Sequence, residues 1–194
     1  MFVQLRWTLM AGAILGVVTT AGDAWPAKRP AQAAPAATSV VPAEPKIILE
    51  AIRRPGATAV LVNVWATWCD ACREEMPRLL KFFREHRRRG LRLVLVSADD
   101  ETERDRAAQF LAAQGMDIPS WLKRGDDMAF IDALDRRWTG ALPASLLFDG
   151  KGRVVELWQR PVTVADLEHA WSRIVPADPP PSSAQPPTPS GRNP

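Results

Sequence analysis

Two cysteines are the side chains in this chain that are best suited to do chemistry. Cys69 and Cys72 stand three residues apart, directly after the apolar run Ala59 to Trp65. The run has the β-branched composition of a buried strand, and the residues from Cys69 to Arg89 have helical spacing. Positions i and i+3 lie on one helix face, which puts the two Cα atoms about 5 Å apart, inside the range that a disulfide bridges. The pair can therefore open and close with little backbone movement.

The start of a helix also favours a thiolate. Unpaired N–H groups and the helix dipole place partial positive charge there, which lowers the pKa of a cysteine below its free value of about 8.5. The sequence thus predicts that Cys69 is the nucleophile. Cys72 lies one turn further in and is expected to be less exposed, so it resolves the mixed disulfide.

Other uses of the cysteine pair stay open at this point. A purely structural disulfide would close a very small loop and stabilise little. A zinc site would need two more ligands, and of the two histidines, His86 lies in an arginine-rich run while His169 is distant in sequence. A copper-handling module that binds through both sulfurs is an alternative from another class. A redox-inert adaptor that uses its Pro-rich tail is a third.

Composition excludes several broad classes. The chain has 194 residues, 46% of them hydrophobic, which fits one globular domain with tails and rules out wholesale disorder or collagen. A net charge of +3 is too weak to argue for nucleic acid. Two cysteines cannot make a disulfide-stapled scaffold.

The two ends differ from the middle. Residues 1–24 resemble an export signal, with Arg6 before the mostly apolar Trp7 to Thr20. This stretch is short for a membrane span, so contact with a membrane is expected only if the segment stays uncleaved as an anchor. Residues 25–45 form an Ala/Pro-rich linker and residues 176–194 a disordered Pro-rich tail, which leaves 46–175 as the folded domain.

Within that domain the pattern predicts an α/β protein. The Cys-bearing helix ends at Gly90 and a second buried strand follows, which makes a parallel βαβ unit with a right-handed crossover. The remaining expected elements are a helix to Gln114, a helix Asp126 to Arg137, a hairpin around Gly150-Lys151-Gly152 and a closing helix Thr163 to Ile174.

Two motifs resemble the thioredoxin superfamily, and within it the exported TlpA/ResA-like thiol–disulfide oxidoreductases. The first is Trp65-Ala66-Thr67-Trp68-Cys69-x-x-Cys72 with Arg73-Glu74-Glu75-Met76-Pro77, and the second is Gly140 to Asp149 followed by Gly150-Lys151-Gly152. The resemblance covers Ile47 to Ile174. It implies a thioredoxin fold, a central mixed β-sheet flanked by helices on both faces. It also implies an inserted helix before the second motif, expected around Gln109 to Trp121.

The resemblance assigns roles to four further residues. Pro143 matches the family's cis-proline, which packs beside the active disulfide, and Leu142 before it would offer backbone groups to an incoming chain. Glu75 matches a glutamate that tunes the thiols and moves protons, and partial burial would raise its pKa. Trp68 is expected to pack over the disulfide and contact substrates.

Three positions depart from the family pattern. Asp70-Ala71 stands where Gly-Pro or Glu-Pro is frequent, and an acid beside the nucleophile opposes a thiolate, which favours a reductant over an oxidant. Asn63 stands where thioredoxin has a buried aspartate, so that proton acceptor is missing and Glu75 is favoured in its place. Ala144-Ser145 stands where Thr-Thr is frequent, at a position where the family contacts its partners.

The expected function is thiol–disulfide exchange on proteins outside the cytoplasm, with Cys69 and Cys72 as a disulfide-reducing pair. No bound cofactor is expected beyond the redox-active disulfide itself. By family analogy a membrane protein supplies electrons, and in cytochrome maturation the substrate would be the haem-attachment cysteines of an apocytochrome. A dithiol oxidant of exported proteins is the rival within the same class.

Overall fold

The centre of the fold is a buried strand, as the apolar run Ala59 to Trp65 predicts. In the computed structural model, which describes residues 39–175, this strand is β2 (Ala59–Trp65) and every residue in it is buried. It runs parallel to β3 (Leu91–Ser97), and helix α2 (Asp70–His86) connects the two. The predicted βαβ unit is therefore confirmed, and it delivers Cys69 to the carboxyl end of β2.

Six strands form one mixed sheet in the order β1-β4-β3-β2-β5-β6. The first four strands in that order are parallel to one another. The other two, β5 (Ala144–Asp149) and β6 (Val154–Trp158), form the predicted hairpin. Strand β5 pairs antiparallel with β2, so Val64 lies opposite Ala144. This register brings the residue before Ala144 to the end of the sheet at which β2 stops and the cysteine motif begins.

Helices cover both faces of the sheet, as the alternation of side chains along β2 requires. Leu61 and Trp65 point into a core with α2, and Val62 and Val64 point into a second core on the opposite face. The first core also holds α3 (Arg104–Ala113) and α5 (Val164–Ser172), and the second holds α1 (Pro45–Arg53) and α4 (Asp127–Leu134). Short 3-10 turns occupy Arg87–Arg89 and Glu101–Glu103.

The predicted boundary of the linker is wrong at its carboxyl end. Val40–Ala43 is not linker but strand β1, paired in parallel with β4 (Ser120–Lys123) at the edge of the sheet. Its β-branched valines favour a strand, and Pro42 is tolerated because an edge strand does not need every N–H in a ladder. The helix that follows already begins at Pro45, so the fold starts several residues before position 46.

The inserted helix is also placed wrongly by the sequence. Instead of a helix across Gln109 to Trp121, α3 ends at Ala113 and β4 fills the last part of that range. Gly115 adopts φ +66° just after the helix, a conformation that ends helices. Pro119 then cannot continue one. The insertion is a helix followed by a strand.

Three of the predicted segments lie largely outside the described residues: the export signal 1–24, the linker up to residue 38, and the tail 176–194. Between residues 39 and 175, none of the helices has the length and apolar character to cross a membrane.

Candidate active site

Cys69 and Cys72 form a disulfide with their Cα atoms 5.2 Å apart, as the spacing predicts. Cys69 is the N-cap of α2, and its sulfur accepts the backbone N–H of Cys72 at 3.2 Å. Cys69 is 8% exposed and Cys72 is completely buried. A partner disulfide can therefore approach the first sulfur, while the second is reached only from within the protein.

Asp70, beside the nucleophile, is engaged in an ion pair with Arg73 on the next turn of the helix. The Asp70 side chain is 80% exposed, so water and the guanidinium both weaken its field at the sulfur. The expected opposition to a Cys69 thiolate is thus smaller than the sequence alone indicates.

Glu75 is the buried acid of the site. Its side chain has no exposure, and it lies on the same face of α2 as Cys72, three residues further along. Oε1 accepts a hydrogen bond from the Asn63 amide at 2.9 Å, and Oε2 accepts one from the Val162 backbone N–H at 2.8 Å. Burial raises the pKa of Glu75, and the two donated hydrogen bonds lower it by less. The side chain is thus suited to hold a proton at a higher pH than an ordinary glutamate.

Asn63 has a larger role than the sequence indicates. From the sequence, Asn63 is only the residue that replaces a proton acceptor. In the structure its amide donates to Glu75 and also to Ser145 Oγ at 3.0 Å, and so connects strand β2 to both residues. The Oδ1 atom of Asn63 is buried and has no hydrogen-bond partner in the structure. This oxygen is therefore an unused acceptor inside the core.

Pro143 follows a cis peptide bond from Leu142, as the family resemblance implies. Pro143 is buried, and Leu142 is half-buried. Because Ala144 pairs with Val64, these two residues extend past the last pair toward the cysteine motif. The structure thus brings the second motif to the same end of the sheet as the first.

A groove lies next to the cysteine motif on the face of the sheet that carries α4, between Trp68 and Leu142. It has a volume of about 210 Å³, and its walls are mostly apolar but include the charged side chains of Lys123 and Asp127. Trp68 is 63% exposed, so it is a wall of this groove and open to solvent. The indole N–H of Trp138 donates to the Ala141 carbonyl at 2.9 Å, which fixes that ring beneath the loop before Pro143.

A larger cavity, of about 440 Å³, lies at the opposite end of the sheet around Arg54, Gly90 and Arg92. The guanidinium of Arg92 is already engaged by the backbone carbonyls of Arg54 and Pro55. This cavity lies away from both motifs of the site. The smaller groove is lined by Trp68, which precedes Cys69, and by Leu142, which precedes Pro143.

Sequence reasoning missed a second buried acid near the site, Asp99. It is 4% exposed and accepts hydrogen bonds from Thr67, two residues before the nucleophile. The signal was available, because Asp99 stands two residues after the end of β3 and the carboxyl ends of neighbouring parallel strands lie at one end of a sheet.

Comparisons with known proteins agree with this geometry. A family model described as Redoxin matches residues 30–170. The thiol-disulfide oxidoreductase ResA of Bacillus thuringiensis (strain Al Hakam) is 30% identical over 132 residues, which cover 68% of this chain and 70% of ResA.

Solved structures share the fold. The thioredoxin-related protein from Neisseria meningitidis serogroup B superposes with a TM-score of 0.54 at 25% identity, over 63% of this chain and 88% of that one. A thiol:disulfide interchange protein of the thioredoxin family from Chlorobium tepidum TLS gives 0.53 at 23% identity, over 64% and 83%. The thioredoxin fold predicted from the two motifs is therefore confirmed. The chain belongs to the Redoxin family and is a thioredoxin-fold thiol–disulfide oxidoreductase of the ResA-like kind.

Proposed function

We propose that this oxidoreductase is exported and reduces disulfides in other proteins. The observation that carries the direction is the surroundings of the Cys69 sulfur. Its donor is the N–H of Cys72, and the next side chain, Asp70, is an acid whose charge is met by Arg73. A strong dithiol oxidant needs a heavily stabilised thiolate in its reduced form. Among residues 39–175, the Cys72 N–H is the one hydrogen-bond donor to this sulfur. A helix N-terminus with a single such donor stabilises the thiolate only moderately, which favours the reductant, and the screened charge of Asp70 adds little to this.

The reaction uses both cysteines and Glu75. The Cys69 thiolate attacks one sulfur of the partner disulfide and forms a mixed disulfide, which releases the first partner thiolate. Cys72 then loses its proton and attacks Cys69, which releases the second partner thiolate and leaves the Cys69–Cys72 disulfide. Glu75 has its pKa raised by burial and lies on the same helix face as Cys72, so we assign it as the base for this second step.

Proteins are the proposed substrates because the groove between Trp68 and Leu142 has room for a side chain of a bound segment. Trp68, Leu142 and Ile131 give it an apolar side, which suits an apolar side chain next to the substrate cysteine. Leu142 is half-buried at its rim, and its backbone is the proposed place for strand-like pairing with an extended segment. Trp68 and Leu142 are thus the proposed contacts for substrate, and Pro143 completes the surface beside the disulfide.

A reductant must be recharged after each turnover, and we propose a membrane thiol donor for that task. The export signal expected in residues 1–24 supports an extracytoplasmic location. Fusion of the chain to a reporter enzyme that is active only outside the cytoplasm tests this location. Activity of the fusion supports export, and an inactive but expressed fusion contradicts it.

The direction is tested with two protein substrates. We expect the chain, supplied with a chemical dithiol, to accelerate reduction of the insulin disulfides. We expect it not to accelerate oxidation of a reduced, unfolded protein. A Cys69→Ser variant should do neither. Faster oxidation without reduction would instead identify a dithiol oxidant.

A further inference from the structure

We propose that Asp99 is a positioning residue for the loop that presents Trp68 and Cys69. The loop joins β2 to α2 and carries both the nucleophile and one wall of the groove. Asp99 lies on the neighbouring segment after β3. The proposal concerns thiol–disulfide exchange itself and does not depend on its direction in the cell.

Asp99 holds the loop through both of its oxygens. Oδ1 accepts the Thr67 backbone N–H at 2.9 Å and the Thr67 hydroxyl at 2.7 Å. Oδ2 accepts the Ser97 hydroxyl at 2.6 Å, and the Asp99 N–H donates back to the Ser97 oxygen at 3.1 Å. Charge-assisted hydrogen bonds of this kind are short and roughly twice as strong as neutral ones. Thr67 is therefore fixed in both backbone and side chain.

Backbone hydrogen bonds also hold the loop on both sides of Thr67. The N–H of Ala98 donates to the Trp65 carbonyl at 2.8 Å, and the N–H of Cys69 donates to the Ala66 carbonyl at 3.2 Å. The loop after β2 is thus a hydrogen-bonded turn, and Thr67 is held at its middle. Trp68 is 63% exposed and so has little packing of its own to hold it. The orientation of Trp68 and the place of Cys69 at the helix start both depend on Thr67.

Holding a reacting group in place affects rate more than stability. A displacement of about 1 Å at a reacting atom can cost up to about a hundredfold in rate. Exchange requires three sulfurs in line, so a loosened Cys69 loses reactivity toward any disulfide. Asp99 also carries charge, and the experiment has to separate the effect of charge from that of position.

The test measures how fast the reduced full-length chain reacts with a chromogenic aromatic disulfide. We expect Asp99→Ala to slow the reaction about tenfold or more, and Asp99→Asn about threefold, because asparagine keeps one oxygen for the Thr67 N–H. Thr67→Val should also slow it about threefold, since the charge remains but the hydroxyl bond is lost. Thr67→Ser, which keeps both donors, should react like the parent chain.

Asp100→Asn is the matched control. It removes the same charge one residue along, from an exposed side chain that makes no capping hydrogen bond to the 3-10 turn after it. The variant should stay within about twofold of the parent. The proposal is overturned if Thr67→Val reacts at the parental rate, or if Asp99→Asn and Asp99→Ala are equal, which would indicate charge alone. It is also overturned if Asp99→Ala lowers the melting temperature but leaves the rate unchanged. If Asp99→Ala does not fold, the two Thr67 variants still decide the question.

Discussion

The side-chain amide of Asn63 donates a 2.9 Å hydrogen bond to Glu75, joining the central strand to the helix that carries the cysteines. Both residues are completely buried. The bond fixes an acidic group on the face of α2 that Cys72 occupies, and burial raises the pKa of that group. The pair therefore supplies what a buried resolving thiol needs, which is a nearby group able to accept a proton.

Replacement of Glu75 should change how stability depends on pH. A carboxyl whose pKa is higher in the folded chain binds more protons folded than unfolded, so stability falls as pH rises between the two pKa values. The contribution of Glu75 to stability is present below about pH 4.5 and is lost as the pH rises through its raised pKa. Glu75→Gln should flatten this slope. Urea unfolding at a series of pH values measures it.

The control for that series is Glu74→Gln, because Glu74 is the exposed neighbour on the same helix. It should keep the parental slope. In Glu75→Gln, the unused Oδ1 of Asn63 can accept a hydrogen bond from the new amide after a rotation of the Asn63 side chain. An identical slope in parent and Glu75→Gln would refute the raised pKa.

Cys72→Ser should trap a substrate. The variant retains the nucleophile but cannot resolve the mixed disulfide. Cys69 is then the only cysteine left in the chain, so a trapped partner is held there. Because Cys72 is completely buried and Cys69 is 8% exposed, the matched Cys69→Ser variant should trap much less partner. Mass spectrometry of the trapped adducts compares the two variants, and equal or greater trapping by Cys69→Ser would contradict the assigned roles.

Trp68→Ala should weaken substrate binding without changing the redox chemistry. Removing one wall of the groove should raise KM for a protein disulfide about tenfold, while the reduction potential stays unchanged. Met128→Ala is the matched control, because Met128 has the same exposure of 63% but is not part of the groove. Steady-state kinetics decide between them. Equal KM values for the two variants would exclude Trp68 from the binding surface.

Thr163→Ala should destabilise the start of α5, next to the backbone N–H that donates to Glu75. Thr163 caps α5 in a capping box with Asp166, next to the Val162 N–H that donates to Glu75. Loss of this cap should cost about 1 kcal/mol of unfolding free energy. Ser172→Ala, at the other end of α5, is the comparison and should cost less. Urea denaturation measures both, and equal losses would argue against the cap.

The sequence predicts the middle of the fold well because local signals and tertiary pairing agree there. The strand Ala59 to Trp65, the helix after Cys69 and the hairpin at Gly150 are strongly patterned segments, and the structure has all three. The edge strand Val40–Ala43 is different. It contains a proline and lies in Ala/Pro-rich sequence, and its strand conformation comes from pairing with Ser120–Lys123, far along the chain.

The residues of the site also fall into two groups, those that are neighbours along one helix and those that come from distant segments. Neighbours along one helix, such as Cys69, Cys72 and Glu75, are related by spacing that can be read directly. The partners of Glu75 come from β2 and from the loop before α5, 12 and 87 residues away. Such contacts depend on how strands and helices pack, which the pattern of one segment does not contain. The Asp99–Thr67 contact also spans 32 residues, but here the position of Asp99 just past β3 was a signal that could have indicated it.

The reduction potential of the Cys69–Cys72 disulfide decides whether the protein reduces or oxidises its partners. It is measured by equilibrating the chain with thiol buffers of known potential and counting free thiols. We expect a value below about −220 mV, in the range of thioredoxin and glutaredoxins. A value near about −120 mV, the range of strong dithiol oxidants, would contradict it and make disulfide formation the activity of this protein.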